Sequence, residues 1–180
     1  MLKIKPPVYK YCPFCGRPLN TKVEDNKKRS HCSSCSWTYY PHVAASAVAV
    51  IVKNRRVLMV RRARNPYKNT WMFPAGFVDF GEHPEETLRR EVNEESGLKV
   101  TEARLMEIDQ SEDDPRSLGH FLFFYMVRGH GKTRNMDKKE NNDIGWFDIE
   151  HPPRIGWKAQ KYMMKKLKTT LSKSGKGKYN

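Results

Sequence analysis

The sequence predicts a mixed α/β (α+β) domain preceded by a small metal-bound module, and three observations predict it. All four cysteines fall within the first 35 residues. From His42 onward, short β-branched runs alternate with segments patterned for helices. One helical segment crowds three glutamates onto one face, an arrangement that asks for a cation. At 180 residues the chain has room for one globular domain and an appendage. It divides into a ribbon over 1–40, a domain over 41–171 and a basic disordered tail over 172–180.

The cysteines stand as Cys12-Pro13-Phe14-Cys15 and Cys32-Ser33-Ser34-Cys35. Each short turn aims two sulfurs at one point, and a hairpin between them brings the turns together, which suits a tetrahedral four-thiolate zinc site. Gly16 fits the tight turn after the first pair. Two disulfides or four free thiols are the alternative; MLKIKPPVYK has no continuous apolar core of an export signal, and a reducing compartment keeps thiols free for metal. A closed site of Cys12, Cys15, Cys32 and Cys35 leaves no open coordination position, so Zn2+ is expected to be structural and to supply much of the module's folding energy. His31 and His42 are read as bystanders. Lys22, Lys27, Lys28, Arg29, Trp37, Tyr39 and Tyr40 have the composition of a nucleic-acid contact. The preferred reading is that Trp37, Tyr39 and Tyr40 pack the ribbon against the following domain.

The run HVAASAVAVIV is small and β-branched, the turn Lys53-Asn54-Arg55 follows, and RVLMVRR completes two paired strands, one largely buried. A loop spans Ala63 to Thr70. Pro84 sits where a first helical turn tolerates proline, Glu85 and Glu86 favour the positive end of the dipole, and Gly97 suits a C-terminal cap; residues 84–96 are therefore expected to be a helix. Leu88 and Val92 mark its buried stripe, while Glu91, Glu94 and Glu95 crowd another face. Like charges at these spacings repel by roughly a few tenths of a kcal/mol each. Hard oxygen ligands in that number suit Mg2+ or Mn2+ and not zinc. Downstream, GHFLFFYMVRG (119–129) reads as a buried strand, and WKAQKYMMKKLKTTL (157–171) as an amphipathic helix with Trp157, Met164 and Leu167 toward the core. Met163 and Met164 are assigned to packing.

Residues 76–98, GFVDFGEHPEETLRREVNEESGL, match GX5EX7REUXEEXGU, with U apolar, at Gly76, Glu82, Arg90, Glu91, Val92, Glu94, Glu95, Gly97 and Leu98. This is the Nudix box, and the sequence resembles the Nudix hydrolases, specifically the subgroup in which a four-cysteine zinc ribbon precedes the Nudix domain, as in the NADH pyrophosphatases. The resemblance implies an α/β/α sandwich around a mixed β-sheet, with the box as loop-helix-loop holding divalent metals. Carried over by position, it implies Glu91 and Glu95 as principal ligands of Mg2+ or Mn2+, Glu94 as the carboxylate that binds metal or orients water, and Ala75 as a backbone carbonyl ligand. Arg90 looks like the residue that orients the glutamates, and Glu82 like its partner in that network. Members of the family often draw a further carboxylate from a loop ahead of an aromatic-containing strand. In KKENNDIGWFDIE that residue is Glu140, as metal ligand or general base, with Asp143 in reserve.

Hydrolysing a diphosphate needs water aimed at phosphorus while charge accumulates on oxygens, and carboxylate-bound Mg2+ serves both ends. The NADH pyrophosphatases carry SQPWPFPXS after the box. The corresponding stretch, MEIDQSEDDPRSLGHFLFFYMV, lacks it and is similar to a DPRGH-like segment in some ADP-ribose pyrophosphatases, with Pro115 lying 17 residues past Leu98. The expected substrate is therefore ADP-ribose or another ADP-linked diphosphate, ahead of NADH, NAD or FAD and of an RNA 5′ end. A nucleotide-sensing nucleic-acid-binding protein would not need every box carboxylate.

The net charge of +14 belongs to the ends of the chain: residues 1–35 hold eight Lys+Arg against two Asp+Glu, residues 158–180 eight against none, and the stretch between holds eighteen of each. The chemistry is expected in this neutral centre, with the basic termini left to weak nucleic-acid contacts. No apolar run approaches the roughly 20 residues that span a bilayer. A cytoplasmic enzyme without a membrane partner is expected, and the resemblance implies a homodimer.

Overall fold

Asp25 and Asn26 both take positive φ, 50° and 59°, the two-residue turn whose twist matches that of a β-hairpin. It joins β1 (Asn20–Glu24) to β2 (Lys27–His31) in antiparallel register, with Glu24 opposite Lys27 and Asn20 opposite His31. The two cysteine turns flank the open end of this hairpin. The computed structural model describes residues 8–173 and divides the chain into two units, Met1–Val43 and Ala44–Asn180.

The second unit is built from β3 (Ala45–Lys53), β4 (Arg56–Arg62), β5 (Trp71–Met72), β6 (Ala75–Phe77), α1 (Pro84–Ser96), β7 (Lys99–Gln110), β8 (Phe121–His130), β9 (Asn141–Asp148) and α2 (Lys158–Lys173). Its seven-stranded sheet runs β5-β4-β3-β8-β7, with β6 added to β3 and β9 to β4. β3 and β8 are parallel and the other pairs antiparallel, so the sheet is mixed. The hairpin expected between β3 and β4 forms only beside its turn, at Val52 opposite Val57 and Lys53 opposite Arg56. β3 then pairs with β6 and β8 while β4 pairs with β9.

Alternation along β3 sorts the core into two layers. Val48 and Val50 face one side, where Met163, Met164 and Leu167 of α2 join Val57, Met59 and Phe124. Ala47, Ala49 and Ile51 face the other, packed with Leu88 and Val92 of α1 and with Leu58, Tyr125 and Val127. The small side chains Ala47 and Ala49 let α1 approach the sheet closely. A helix therefore covers each face, the α/β/α arrangement implied by the resemblance.

Strand β7 lacks a readable alternation because its register slips twice against β8, between Val100 and Glu102 and between Leu105 and Glu107, each slip moving side chains to the other face. Helix α2 continues through residues 172 and 173, where the sequence led us to expect the start of the disordered tail; the rest of that tail lies outside the described residues. Among the described residues no helix is long and apolar enough to cross a membrane.

Candidate metal centres and the cleft

The two cysteine turns share one geometry. The Cys12 amide donates to the Arg17 carbonyl and the Cys32 amide to the Trp37 carbonyl, both at 2.8 Å, and Gly16 and Ser36, which follow the paired cysteines, take φ of 70° and 59°. All four Sγ atoms lie within 4.8 Å of one another, with Cys12–Cys35 and Cys15–Cys32 at 3.5 Å. A tetrahedron of Zn–S bonds has an edge of about 3.8 Å, so the sulfurs fit zinc. As thiols they compete for protons: backbone amides, that of Cys35 first, hold Cys32 down to about 6. Against the pull of the Trp37 amide, hydrogen bonds with Cys12 and Cys32 push Cys35 up to about 12. A cation that displaces those protons removes the conflict.

His31 Nδ1 pairs with Thr38 Oγ1 at 3.1 Å and His42 Nδ1 with the Tyr40 carbonyl at 3.3 Å. Trp37 stacks on Tyr39, and Tyr9 meets Tyr39 edge-on at 4.8 Å. Arg29 lies 4.6 Å above Tyr40, whose hydroxyl donates to Glu24 at 2.6 Å. These aromatic contacts lie within the ribbon itself.

In the second unit, α1 carries the glutamates. His83 caps its N-terminus, accepting from the Glu85 amide while its own amide donates to the Glu86 carboxylate, and Pro84 opens the first turn. Gly97 closes the helix at φ 73°. With both ends fixed, Arg90 projects into the acidic face. Its Nε and Nη2 grip both oxygens of Glu82 at 2.9 and 3.0 Å, leaving Nη1 for Glu91 at 2.7 Å and Glu94 at 3.2 Å. This grip, helped by the Thr87 hydroxyl, holds Glu82 down to about 2 and raises Arg90 in return. Glu82 anchors the guanidinium, and the guanidinium holds Glu91 and Glu94.

Glu95 is buried. Its Oε2 accepts from the Ala75 amide at 2.9 Å and its Oε1 from Asn141 Nδ2 at 2.8 Å. Burial nevertheless pushes this carboxyl up to about 8, and burial raises Glu91 as well. Gly76 makes room for Glu91: a Cβ at this glycine would lie 1.9 Å from Glu91 Oε1. Ala75, Gly76, Arg90, Glu91, Glu94 and Glu95 border one cleft of 340 Å³. Glu91 and Glu95, both raised by burial, form with the more exposed Glu94 a hard-oxygen donor set that fits Mg2+ or Mn2+. With Arg90 bridging Glu91 and Glu94, these oxygens are not drawn into one tight cluster; among the described residues, only the four cysteines bring three or more ligand atoms that close together.

Glu140 ends a turn at the border of the cleft, and its carboxylate pairs with Arg64. Asp143 stands within β9, not in the loop ahead of it, with its carboxylate 3.6 Å from Arg61 and outside the cleft lining. Two residues that the sequence reading passed over border the cleft beside Glu95: Asn141, and Asp137, whose Oδ1 accepts from the amides of Lys139 and Glu140. Elsewhere the lining includes Asp114, Arg116 and His120 from the DDPRSLGH segment, together with Arg62 and Trp157.

The model of the NUDIX domain matches residues 41–167, and that of the Nudix N-terminal zinc ribbon matches residues 10–41. A NAD-capped RNA hydrolase NudC from Chromobacterium violaceum is 33% identical over 149 residues, 82% of this chain and 53% of that protein. An ADP-ribose pyrophosphatase from Methanocaldococcus jannaschii is 33% identical over 126 residues, 68% of this chain and 72% of that protein. A NUDIX hydrolase structure from Nitrosomonas europaea superposes with a TM-score of 0.71 at 21% identity, covering 96% of this chain and 97% of that one. The chain spans about half the length of the NAD-capped RNA hydrolases that it matches.

Proposed function

The chain belongs to the NUDIX domain family, and on that premise we propose that it hydrolyses the diphosphate linkage of a nucleoside diphosphate joined to a second group, with ADP-ribose the first choice. The observation that carries this reading is the convergence of Glu91, Glu94 and Glu95 on one cleft, with Arg90 locked by Glu82 beside them. Bound Mg2+ or Mn2+ supplies charge neutralisation and a more acidic water. Glu91, Glu95 and the Ala75 carbonyl would hold it. Glu94, the most exposed of the three box carboxylates, would bind metal or orient the attacking water, with Glu140 at the cleft border as a further ligand or general base. Arg90 keeps Glu91 and Glu94 in place, so its own work is positioning.

Support for an ADP-ribose-type substrate comes from Asp114, Arg116 and His120, which bring the DPRGH-like segment into the same cleft, and from the relative named an ADP-ribose pyrophosphatase. A second reading, a nucleotide-capped RNA end, is favoured by relatives named NAD-capped RNA hydrolases. The finer parts of the proposal are a homodimer, weak polyanion contact at the basic ends and a cytoplasmic location. Hydrolysis with Mg2+ and Mn2+ over ADP-ribose, NADH, NAD+, FAD, nucleoside triphosphates and NAD-capped RNA, with products identified, tests it. Inactivity on every diphosphate would refute it.

A further inference from the structure

Two guanidinium groups lie against one indole in the cleft. Arg62 Cζ is 5.4 Å, and Arg116 Cζ 5.7 Å, from the Trp157 ring centroid. Arg116 is matched, because buried Asp114 accepts from its Nε and Nη2 at 3.0 and 2.8 Å. Arg62 is not matched. It is only 7% exposed, its Nε donates to the Pro66 carbonyl at 2.7 Å, and its Nη1 lies 3.4 Å from Met72 Sδ. Among the described residues no carboxylate forms an ion pair with it, and its hydrogen bonds use Nε and Nη1, leaving Nη2 for a ligand.

A guanidinium cannot shed its proton to escape this setting. Burial is the largest cost to this cation and the neighbouring charge of Arg116 adds to it; Asp114 and Glu95 offset it only through space, so an anion in direct contact would complete the match. The position of Arg62 indicates which ligand. Across β4 and β9 its register partner is Asn141, the residue that donates to Glu95. The unpaired cation therefore lines the same cleft, one strand pairing away from the proposed metal ligands.

We propose that Arg62 binds a non-bridging oxygen of the substrate's diphosphate through Nη2, while Trp157 and the Pro66 carbonyl fix the plane of the guanidinium. The inference rests on the reading of the chain as a diphosphate hydrolase. The carboxylates require cations and Arg62 requires an anion; a metal-bound diphosphate satisfies both at once. Arg62 thus determines specificity by phosphate content, independently of the nucleoside.

The test is a ligand ladder on the full chain in Mg2+ buffer, using equilibrium binding of adenosine, AMP and the non-hydrolysable α,β-methylene-ADP to wild type, Arg62→Gln and Arg62→Lys, beside kcat/KM on ADP-ribose. Arg62→Gln is expected to weaken α,β-methylene-ADP by about ten- to a hundredfold, the loss typical of a charge-assisted hydrogen bond. It should weaken AMP less and adenosine not at all. Arg62→Lys keeps the charge without the fork and is expected to recover part of the loss; if Arg62→Gln does not fold, a loss by Arg62→Lys confined to the diphosphate analogue decides the question. Unchanged analogue affinity overturns the inference. So does an equal loss on all three ligands, which is what a residue serving only to hold the Pro66 turn would produce. With wild-type hydrolysis intact, either result removes Arg62 and leaves the diphosphate reading standing. A wild type that neither binds the analogue nor hydrolyses any diphosphate overturns both.

Discussion

Asn141 Nδ2 donates to Glu95 Oε1 at 2.8 Å, joining the first residue of β9 to the last turn of α1 between two buried side chains. The Ala75 amide holds the other oxygen. Between them these donors orient the carboxyl group and offset part of the burial that still raises it to about 8. Removing one leaves a buried acceptor unmade, which costs about 1–3 kcal/mol. Asn141→Ala is therefore expected to lose stability by that amount in urea unfolding. A loss no larger than that of an exposed control such as Asn142→Ala would show that the contact contributes little.

The raised carboxyl makes stability depend on pH in a definite direction. Glu95 titrates at about 8 in the fold, above its ordinary 4.5, so the folded state binds this proton more tightly. The stability so gained is complete below pH 4.5 and is lost as pH rises to about 8. Glu91, also raised, acts in the same direction. In the presence of a chelator the thermal midpoint should fall across this window, and Mg2+ should restore it most at the alkaline end. Glu95→Gln should flatten most of the slope. An undiminished slope in that variant would place its origin elsewhere.

Gly76 is set by the space that Glu91 occupies. Because a Cβ would overlap Glu91 Oε1, Gly76→Ala must move that carboxylate. A displacement of about 1 Å in a positioning contact can cost on the order of a hundredfold in rate. Steady-state kinetics should show kcat/KM falling by that order while the zinc content stays unchanged. Wild-type kinetics would mean that Glu91 need not sit where the fold puts it.

The ribbon predicts a different failure. Cys12→Ser removes one buried sulfur of the cluster, so bound zinc and thermal stability should both fall, and any loss of activity should follow the loss of folded protein. Metal analysis of wild type purified under reducing, chelator-free conditions checks the premise. A folded wild type without zinc contradicts it.

The box glutamates, the cysteine turns and the capped helix are legible in the sequence because each is local: the spacing of Glu91, Glu94 and Glu95, the CxxC pairs, and Pro84 and Gly97 at the helix ends. What escapes is carried by register. Glu140 and Asp143 are both acidic and near Trp146, yet only strand pairing shows that Asp143 faces Arg61 while Asn141 reaches Glu95. Arg62 left a fainter signal. It closes a strand whose residues Val57, Leu58, Met59 and Val60 are buried on both faces, so alternation alone does not tell Arg62 from Arg61, and only the fold shows which of the two is buried. Strands β5 and β6 are too short for any pattern, and β7 conceals its own in two register slips.

The most direct measurement is Mg2+-dependent hydrolysis of ADP-ribose by wild type and Glu95→Gln, with products resolved. The substitution keeps the shape of the side chain and removes the charge of a proposed metal ligand. The expected result is AMP and ribose 5-phosphate from wild type, and from Glu95→Gln a turnover lower by orders of magnitude at saturating Mg2+, with the fold intact in chelator. Near-normal turnover by Glu95→Gln at saturating Mg2+ would contradict the assignment of this carboxylate cluster as the hydrolytic metal site.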